Sequence, residues 1–264
     1  MAGNVQIGIL GCMGRMGQAI TAEILKSDLA DFVAGSEIAS HPGVGKPIPG
    51  TDVMLADSAE HVFHEADVVI DFTSPGLTSA HAALAAETGT ALVVGTTGMT
   101  KADDAALDRA AESVAVMQAG NYSLGVNLMM ALVRDAAKRL GTDWDIEIVE
   151  MHHKHKVDAP SGTALMLGEA AAEGRGKPLD DLRTPAREGM TGERKEGTIG
   201  FAALRGGAVI GEHDVVFASE SERLTISHRA ENRGLFAAGA VKAALWVAAK
   251  GPGRYAMADV LDLA

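Results

Sequence analysis

The chain has 264 residues, 47% of them hydrophobic, and its 23 Lys and Arg against 35 Asp and Glu give a formal net charge of −12. This acidity, with only 4% aromatic residues, disfavours general nucleic-acid binding, which needs spread basic charge and stacking rings. No apolar run reaches the ~20 residues of a membrane span, no signal peptide is expected, and the single cysteine fits a reducing cytoplasm.

The first predicted element is a buried strand over Val5–Leu10, followed at once by a turn with Gly11, Gly14 and Gly17 and a helix over residues 18–26. Strand, glycine turn and helix form the context of a dinucleotide-binding fingerprint, although the spacing here is G-x-x-G-x-x-G. The turn therefore supplies candidate cofactor-binding residues, namely Gly11, Cys12, Met13, Gly14, Arg15 and Met16.

A second strand is predicted over residues 31–37 and ends in Glu37, twenty residues beyond Gly17. An acid at this distance is typical of a ligand for the adenosine ribose hydroxyls. Ile38 offers no base for the 2′-phosphate of NADPH, while Arg15 partly compensates. We expect NADH to be used well, with NADPH possible.

Strand and helix alternate further, with strands at residues 66–72, 90–94 and 114–117. Each strand ends in a small or polar loop, at the sheet edge where open α/β folds bind ligands. Asp71 is interpreted as a turn residue. The loops offer backbone groups and one aromatic face to a nicotinamide, and their candidate residues are Gly95, Thr96, Thr97, Ala119, Gly120, Asn121 and Tyr122.

In the second half, strands and helices no longer alternate regularly. Helices are predicted over Leu124–Leu140 and residues 161–173, the latter with Ser161 as N-cap, and residues 177–197 are predicted to be a mobile loop. Strands follow at 144–150, 198–205, 208–218 and 223–228, with Gly206-Gly207 as a hairpin signal. Successive strands predict antiparallel pairing in a separate α+β domain, before a last helix over 235–250.

The most distinctive stretch is residues 152–156, which gathers three histidines and two lysines in an acidic chain. Local positive charge beside a helix start predicts a site for a small anion. Other interpretations are a solvated loop or a metal site on His152 and His155. A metal is least favoured, because Glu150 and Asp158 are the only nearby carboxylates, so no metal is expected.

A dinucleotide domain joined to this cationic stretch predicts hydride transfer, with the proton supplied by the protein. Ser161 and Thr163 at the helix start would bind one carboxylate. Lys156 would hold a second carboxylate or polarise the accepting group. Either His152 or His153 would donate the proton, and spacing alone leaves that choice open.

These motifs closely resemble those of the 4-hydroxy-tetrahydrodipicolinate reductase family, long called dihydrodipicolinate reductase. The resemblance runs nearly from end to end, and the His-His-Lys-His-Lys…Ser-Gly-Thr block is its most specific part. It is carried by residues 11–17, 71–73, 95–98, 150–164, 189–194, 197–201, 211–213 and 259–262.

The resemblance implies reduction of a cyclic dicarboxylic imine with NADH or NADPH, on the route to lysine through diaminopimelate. It implies His152 as the proton donor and Lys156 as the second catalytic residue, with His153, Gly162 and Thr163 binding the dicarboxylate. The implied cofactor positions are residues 11–15, Glu37, 95–97 and 119–122. Members that use an Arg after the ribose acid hold the NADPH phosphate with it, and Ile38 departs from them.

The expected fold is a Rossmann-type parallel-sheet domain over residues 1–123 and 234–264. A second α+β domain with a mostly antiparallel or mixed sheet, over 124–233, would bind substrate and form a homotetramer. Two alternatives are another imino- or amino-acid reductase on this scaffold and a dinucleotide-sensing protein without turnover.

Overall fold

A computed structural model describes residues 3–184 and 186–263. The described chain divides into two compact units, one formed by residues 3–123 with Gly234–Asp262 and the other by Leu124–Arg233 with Leu263. Within the described residues, no helix is both long and apolar enough to cross a membrane.

Strands and helices alternate through the first half of the chain, apart from one short strand that follows another with no helix between them. They are β1 (Val5–Leu10), α1 (Arg15–Ile24), β2 (Ala30–Ser36), β3 (Leu55–Ala56), α2 (Ala59–Glu65), β4 (Val68–Asp71), α3 (Pro75–Thr88), β5 (Ala91–Val94), α4 (Lys101–Ala111) and β6 (Ala115–Gln118).

The second half contains longer runs of one element type. Its elements are α5 (Leu124–Leu140), β7 (Asp145–His152), α6 (Gly162–Gly174), α7 (Leu179–Leu182), β8 (Ile199–Arg205), β9 (Glu212–Ala218), β10 (Arg223–Arg229), α8 (Gly234–Val247), β11 (Gly253–Tyr255) and α9 (Met257–Val260).

The first unit is built on a seven-stranded sheet in the order β11-β6-β5-β4-β1-β2-β3. All of its neighbouring strands pair in parallel. Short continuous apolar strands suit this sheet because helices cover both of its faces. The late helix α8 packs on α1 and on β4, β5 and β6. The predicted Rossmann-type sheet is confirmed.

The second unit is built on a four-stranded mixed sheet in the order β10-β9-β7-β8. Along β7, buried and half-buried residues alternate, so that one face lies against α5 and α6. Ile146 and Ile148 of β7 share this apolar core with Val215 and Phe217 of β9. The predicted second domain with a mixed sheet is confirmed.

The predicted hairpin at Gly206-Gly207 is wrong. β7 lies between β8 and β9, and β8 pairs with β7 in parallel. A two-residue turn joins only adjacent strands, whereas two strand spacings amount to ~10 Å. Residues 206–211 span that distance across the end of β7, where Gly206 N donates to His152 O at 2.9 Å. Antiparallel pairing holds for β9 with β10 and with β7.

Residues 177–197, predicted to be a mobile loop, contain the short helix α7. The segment after it is irregular where described, and Pro185 lies outside the described residues. Two of its arginines are tied to β7, since Arg187 and Arg194 both donate to the carboxylate of Glu147 at 2.7–3.0 Å. Neither the helix nor these anchors were predicted from the sequence.

Candidate active site

The glycine turn of the first unit has a backbone that other residues would not allow. Gly11 has φ of 68°, a left-handed conformation that favours glycine. A Cβ on Gly17 would collide with the carbonyl of Gly11 and the backbone of Cys12. Gly14 is the N-cap of α1 and offers no side chain to the first-turn N–H groups. These groups remain available to an anion such as a pyrophosphate, so the turn fits a dinucleotide.

Glu37 lies directly after β2 and is bound to the same turn. Its Oε1 accepts a hydrogen bond from Met13 N at 3.0 Å. The adjacent Ile38 side chain is 66% exposed, and Arg15 is also exposed. The predicted ribose ligand therefore lies beside the predicted pyrophosphate loop.

Cys12 was predicted to contact the cofactor, but its side chain is fully buried. Burial, together with the charge of Glu37, raises the pKa of the Cys12 thiol to about 12. The thiol is therefore protonated at neutral pH and packs in the core. Any contribution of Cys12 to a ligand comes from its backbone.

The loops after β5 and β6 lie at the carboxyl edge of the sheet. Within the described part of the chain, the buried Oγ1 of Thr96 has no hydrogen-bond partner, whereas Thr97 is exposed. Asn121 is buried, and its Oδ1 accepts from Ser123 N. An unpaired buried hydroxyl at a ligand-binding edge fits a polar group of a cofactor.

Tyr122 was expected to offer an aromatic face to the nicotinamide, and this expectation is corrected because its ring is buried. Its ring is only 2% exposed and packs on Phe72 at a centroid distance of 5.4 Å. Its hydroxyl donates to Val94 O at 2.8 Å, which joins the loop after β6 to the end of β5. A contact from Tyr122 to a cofactor would therefore come from its backbone, as it would from its half-buried and exposed neighbours Ala119 and Gly120.

The candidate site of the second unit is organised by Glu150, whose side chain is 1% exposed. Its carboxylate accepts two bonds from Arg205 at 2.8 Å, one from Ser161 N at 3.1 Å, and contacts His152 Nδ1 at 2.6 Å. Burial would raise the pKa of Glu150, but the bonds from Arg205, His152 and Ser161 outweigh it and hold the pKa below its usual range. Glu150 is thus a buried, fully paired carboxylate.

His152 is the buried last residue of β7, two positions after Glu150 and on the same face. Its contact with the carboxylate places a proton on Nδ1 and leaves Nε2 as the nitrogen that can exchange a proton with a ligand. A Cβ on Gly211 would approach Nε2 to 3.1 Å, so glycine at this position keeps that atom accessible. The ring also meets His213 edge to face at 5.2 Å.

His153 is half-buried and follows the strand, in a different environment. Among the described residues, its buried Nδ1 has no hydrogen-bond partner. Burial and the nearby positive charges of Arg233 and His155 lower its pKa. These three residues line an open pocket of about 600 Å³ together with Lys154, Gly207 and Ala208. A neutral imidazole beside a cationic pocket is suited to binding an anion rather than to donating a proton.

The start of α6 is fixed by Ser161, as predicted. Its Oγ accepts from Ala164 N at 3.1 Å and lies 3.1 Å from His213 Nε2. Gly162 and Thr163 form the first turn, and a Cβ on Gly162 would meet open space. Lys156 Nζ lies 2.8 Å from Asp158 Oδ1. The structure therefore joins the end of β7 to the start of α6 through Glu150 and Ser161, whereas His153 lines the pocket with Arg233 and Lys156 pairs with Asp158.

The residues that support Glu150 and Ser161 were not predicted from the sequence. Arg205 lies 55 positions from its partner Glu150, and His213 lies 52 positions from Ser161. The available signal was the pair Glu150 and His152, which a strand places on one face. Within residues 3–184 and 186–263, no cluster of three or more potential ligands suits a metal ion.

His213 gives the unit a pH dependence. Burial and the neighbouring His152 lower the pKa of His213 to about 4, below its unfolded value of ~6.5. Between these pH values the unfolded chain binds a proton that the folded chain does not, so stability falls as pH is lowered from 6.5 to 4. We expect His213→Asn to lose less stability than the wild type over that interval in urea unfolding series. Parallel losses in the two proteins would contradict this assignment.

Comparisons with known proteins agree with the geometry. Two family profiles match, one described as dihydrodipicolinate reductase, N-terminus, over residues 5–122, and one as dihydrodipicolinate reductase, C-terminus, over residues 125–261. The chain is 50% identical to the 4-hydroxy-tetrahydrodipicolinate reductase of Parvibaculum lavamentivorans, covering 100% of both chains. It is also 50% identical to that of Dinoroseobacter shibae, over 97% of this chain and 98% of the relative.

A solved structure shares the fold. The dipicolinate-bound dihydrodipicolinate reductase of Paenisporosarcina sp. TG-14 matches with a TM-score of 0.78 and 24% identity, over 96% of this chain and 97% of that one. The family resemblance inferred from the motifs is confirmed. The chain belongs to the dihydrodipicolinate reductase family of nicotinamide-dependent oxidoreductases.

Proposed function

We propose that the chain reduces 4-hydroxy-tetrahydrodipicolinate, or the dihydrodipicolinate formed from it, to tetrahydrodipicolinate with NADH or NADPH. This reaction belongs to lysine biosynthesis through diaminopimelate. The observation that carries the proposal is the buried Glu150–His152 pair, whose Nε2 stays accessible beside the start of α6. A proton donor next to a helix N-terminus suits a substrate that is both anionic and protonated during reduction.

The carboxylates of the substrate would be bound by groups of two kinds. The first-turn N–H groups of α6, with the hydroxyl of Thr163, supply hydrogen bonds and a favourable dipole to one carboxylate. His153 and Lys156 supply an imidazole and a cation for the other. Lys156 contacts the carboxylate of Asp158. When substrate binds, Lys156 would exchange this carboxylate for one of the substrate. A dicarboxylate satisfies more of these groups than a monocarboxylate does.

His152 would deliver the proton through Nε2. Glu150 holds the opposite ring nitrogen at 2.6 Å and so fixes the tautomer and the orientation of the ring. Arg205 keeps Glu150 ionised by its two hydrogen bonds. His152 would therefore contact the substrate, while Glu150 and Arg205 would orient the imidazole ring of His152.

The first unit would hold the nicotinamide cofactor, which supplies the hydride when bound. The residues at 11–16 would bind the pyrophosphate and Glu37 the adenosine ribose, while residues 95–97 and 119–122 would line the nicotinamide half. Glu37 disfavours a 2′-phosphate by charge repulsion, and we propose use of NADH with NADPH also accepted.

A coupled assay tests the function. The imine precursor is generated enzymatically and supplied with NADH and NADPH in parallel, and cofactor oxidation is recorded at 340 nm. The proposal expects oxidation that depends on precursor and is inhibited by pyridine-2,6-dicarboxylate but not by pyridine-2-carboxylate. Equal inhibition by both would favour another imino-acid reductase. Binding of NADH without any oxidation would favour a dinucleotide-sensing protein.

Cofactor selectivity gives a separate prediction. We expect Ile38→Arg to tighten NADPH binding roughly ten-fold, because an exposed guanidinium beside Glu37 can pair with the 2′-phosphate. Binding is measured by quenching of protein fluorescence. Leu29→Arg is the matched control, since Leu29 is also an exposed apolar residue, at 65%. Equal NADPH affinity in both variants would mean that another group, such as Arg15, holds the phosphate.

We also propose that the protein is a cytoplasmic homotetramer assembled through the sheet of the second unit. The support is family resemblance together with two apolar side chains, Leu204 on β8 and Leu224 on β10, that are about half exposed. Their solvent exposure in a single chain suits a surface that a second copy covers.

A further inference from the structure

The first unit contains a second buried pair of a histidine and a carboxylate. Asp71, the last residue of β4, is 0% exposed, and His81 on α3 is 6% exposed. His81 Nδ1 lies 2.7 Å from Asp71 Oδ2. The role of a turn residue, predicted for Asp71 from the sequence, does not explain a buried ionic group of this kind. Burying a carboxylate costs free energy unless it is paired, so a role beyond the turn is expected for Asp71.

Asp71 is hydrogen-bonded on every side. Its Oδ1 accepts from Thr73 N at 2.9 Å and from Thr73 Oγ1 at 2.6 Å. Its main-chain carbonyl accepts from Gly95 N at 2.8 Å. Burial would raise the pKa of Asp71, but the bonds from His81 and Thr73 hold it below its usual range. One residue thus links the end of β4, the loop after β5 and helix α3.

The loops that Asp71 links also contact their neighbours. The Thr73 methyl would lie 3.1 Å from a Cβ on Gly11, so it closely borders the glycine turn. Phe72 packs on the ring of Tyr122, and a Cβ on Gly95 would collide with it. The loops after β1, β4, β5 and β6 therefore meet at this edge around residues 71–73.

The sheet order indicates which part of the cofactor this region serves. Glu37, the proposed ligand of the adenosine ribose, follows β2 on one side of β1, while β4 and β5 lie on the other side. A dinucleotide lies across the point where strand order reverses, with its pyrophosphate on the first glycine turn. The edge at β4 and β5 consequently faces the nicotinamide half.

We propose that Asp71 and His81 form a positioning pair that holds the Phe72–Thr73 segment in the conformation that binds the nicotinamide ribose half of the cofactor. The inference rests on the proposed function of the first unit. Because Thr73 Oγ1 donates its proton to Asp71, its oxygen is left as an acceptor, which suits a ribose hydroxyl. His81 acts through Asp71 and needs no contact with the cofactor.

The test compares two ligands that share one half. Dissociation constants for NADH and for ADP-ribose, which lacks the nicotinamide, are measured by calorimetry on wild type, His81→Leu, His81→Asn and Thr73→Val. We expect His81→Leu and Thr73→Val to weaken NADH binding roughly ten-fold or more, with ADP-ribose within about two-fold of wild type. His81→Asn should stay near wild type for both ligands, because its amide can replace the Nδ1 donor.

Failure of the positioning pair and failure of the proposed function would give different binding results. Equal loss of NADH and ADP-ribose in both His81→Leu and Thr73→Val would assign the pair to general stability and overturn the inference. Unchanged NADH affinity in both variants would overturn it as well. Thr73→Val changes shape little, so it remains informative even if His81→Leu does not fold. A wild-type protein that binds neither ligand would instead contradict the proposed function.

Discussion

Replacing His152 by alanine is expected to lower turnover roughly 10²- to 10⁴-fold, the usual contribution of a positioned general acid. NADH affinity should stay within about two-fold, because the glycine turn and Glu37 belong to the other unit of the chain. The physical reason is the accessible Nε2, since Glu150 holds the opposite ring nitrogen and fixes the orientation of the ring. Steady-state kinetics with the enzymatically generated imine measure the first quantity, and fluorescence titration the second.

His155→Ala is the matched control for this variant. His155 belongs to the same basic stretch but is exposed, and it lines the pocket of His153 rather than contacting His152. Its loss should therefore change the turnover number by less than about three-fold. An unchanged turnover number in His152→Ala would end the proton-donor assignment. An equal fall in both variants would attribute the effect to the positive charge of the stretch instead.

Replacing Arg205 by methionine is expected to destabilise the second unit by about 3–5 kcal/mol, because it leaves the buried charge of Glu150 without its strongest partner. Arg205 donates two bonds of 2.8 Å to a carboxylate that is 1% exposed. Turnover should fall as well, since Glu150 would become easier to protonate and would orient His152 less firmly. Urea unfolding at pH 7 measures the loss of stability.

Arg229→Met provides the control for this measurement. Arg229 pairs with Glu212 and Asp214, but its side chain is 46% exposed. Exposed pairs contribute only ~0–1 kcal/mol, so this variant should remain close to wild type. If the two variants lose the same stability, Glu150 does not depend on Arg205 as a buried carboxylate depends on its ion-pair partner. The double variant Glu150→Met with Arg205→Met should recover much of the stability without recovering activity.

The architecture of the first unit was largely predictable from sequence. Its buried strands are short apolar runs bounded by turn residues, and the helices α1, α3, α4 and α8 were predicted. The helices α2 and α9 were not predicted. Strands β3 and β11 were missed because they contain two and three residues, too few to show a periodic pattern. They form the two edges of the sheet, where pairing depends on neighbours already in place.

The second unit was harder because local patterns do not specify strand partners. The Gly206-Gly207 pair correctly marks the end of β8, but the tertiary position of β7 decides where the chain continues. Pairing of β8 with β7 joins residues about fifty positions apart. A short-range turn signal carries no information about such a contact.

The candidate site shows the same division. His152, Lys156 and Ser161 could be proposed from the sequence because charge, titration and capping are properties of single residues and their immediate neighbours. The Glu150–Arg205 pair went unrecognised because its members are distant in sequence. The burial of Cys12 and Tyr122 was also missed, since the sequence of a turn does not reveal whether a side chain points into the core or towards a ligand.

One face of strand β7 begins in the apolar core of the second unit and ends at the candidate active site. Ile146 and Ile148 pack in the interior, and the next two positions on that face are Glu150 and His152. A slip of one residue would expel both isoleucines and turn the imidazole to the opposite side. Hydrophobic packing therefore decides on which face of β7 the proposed proton donor lies, while Glu150 and Arg205 fix the orientation of its ring on that face.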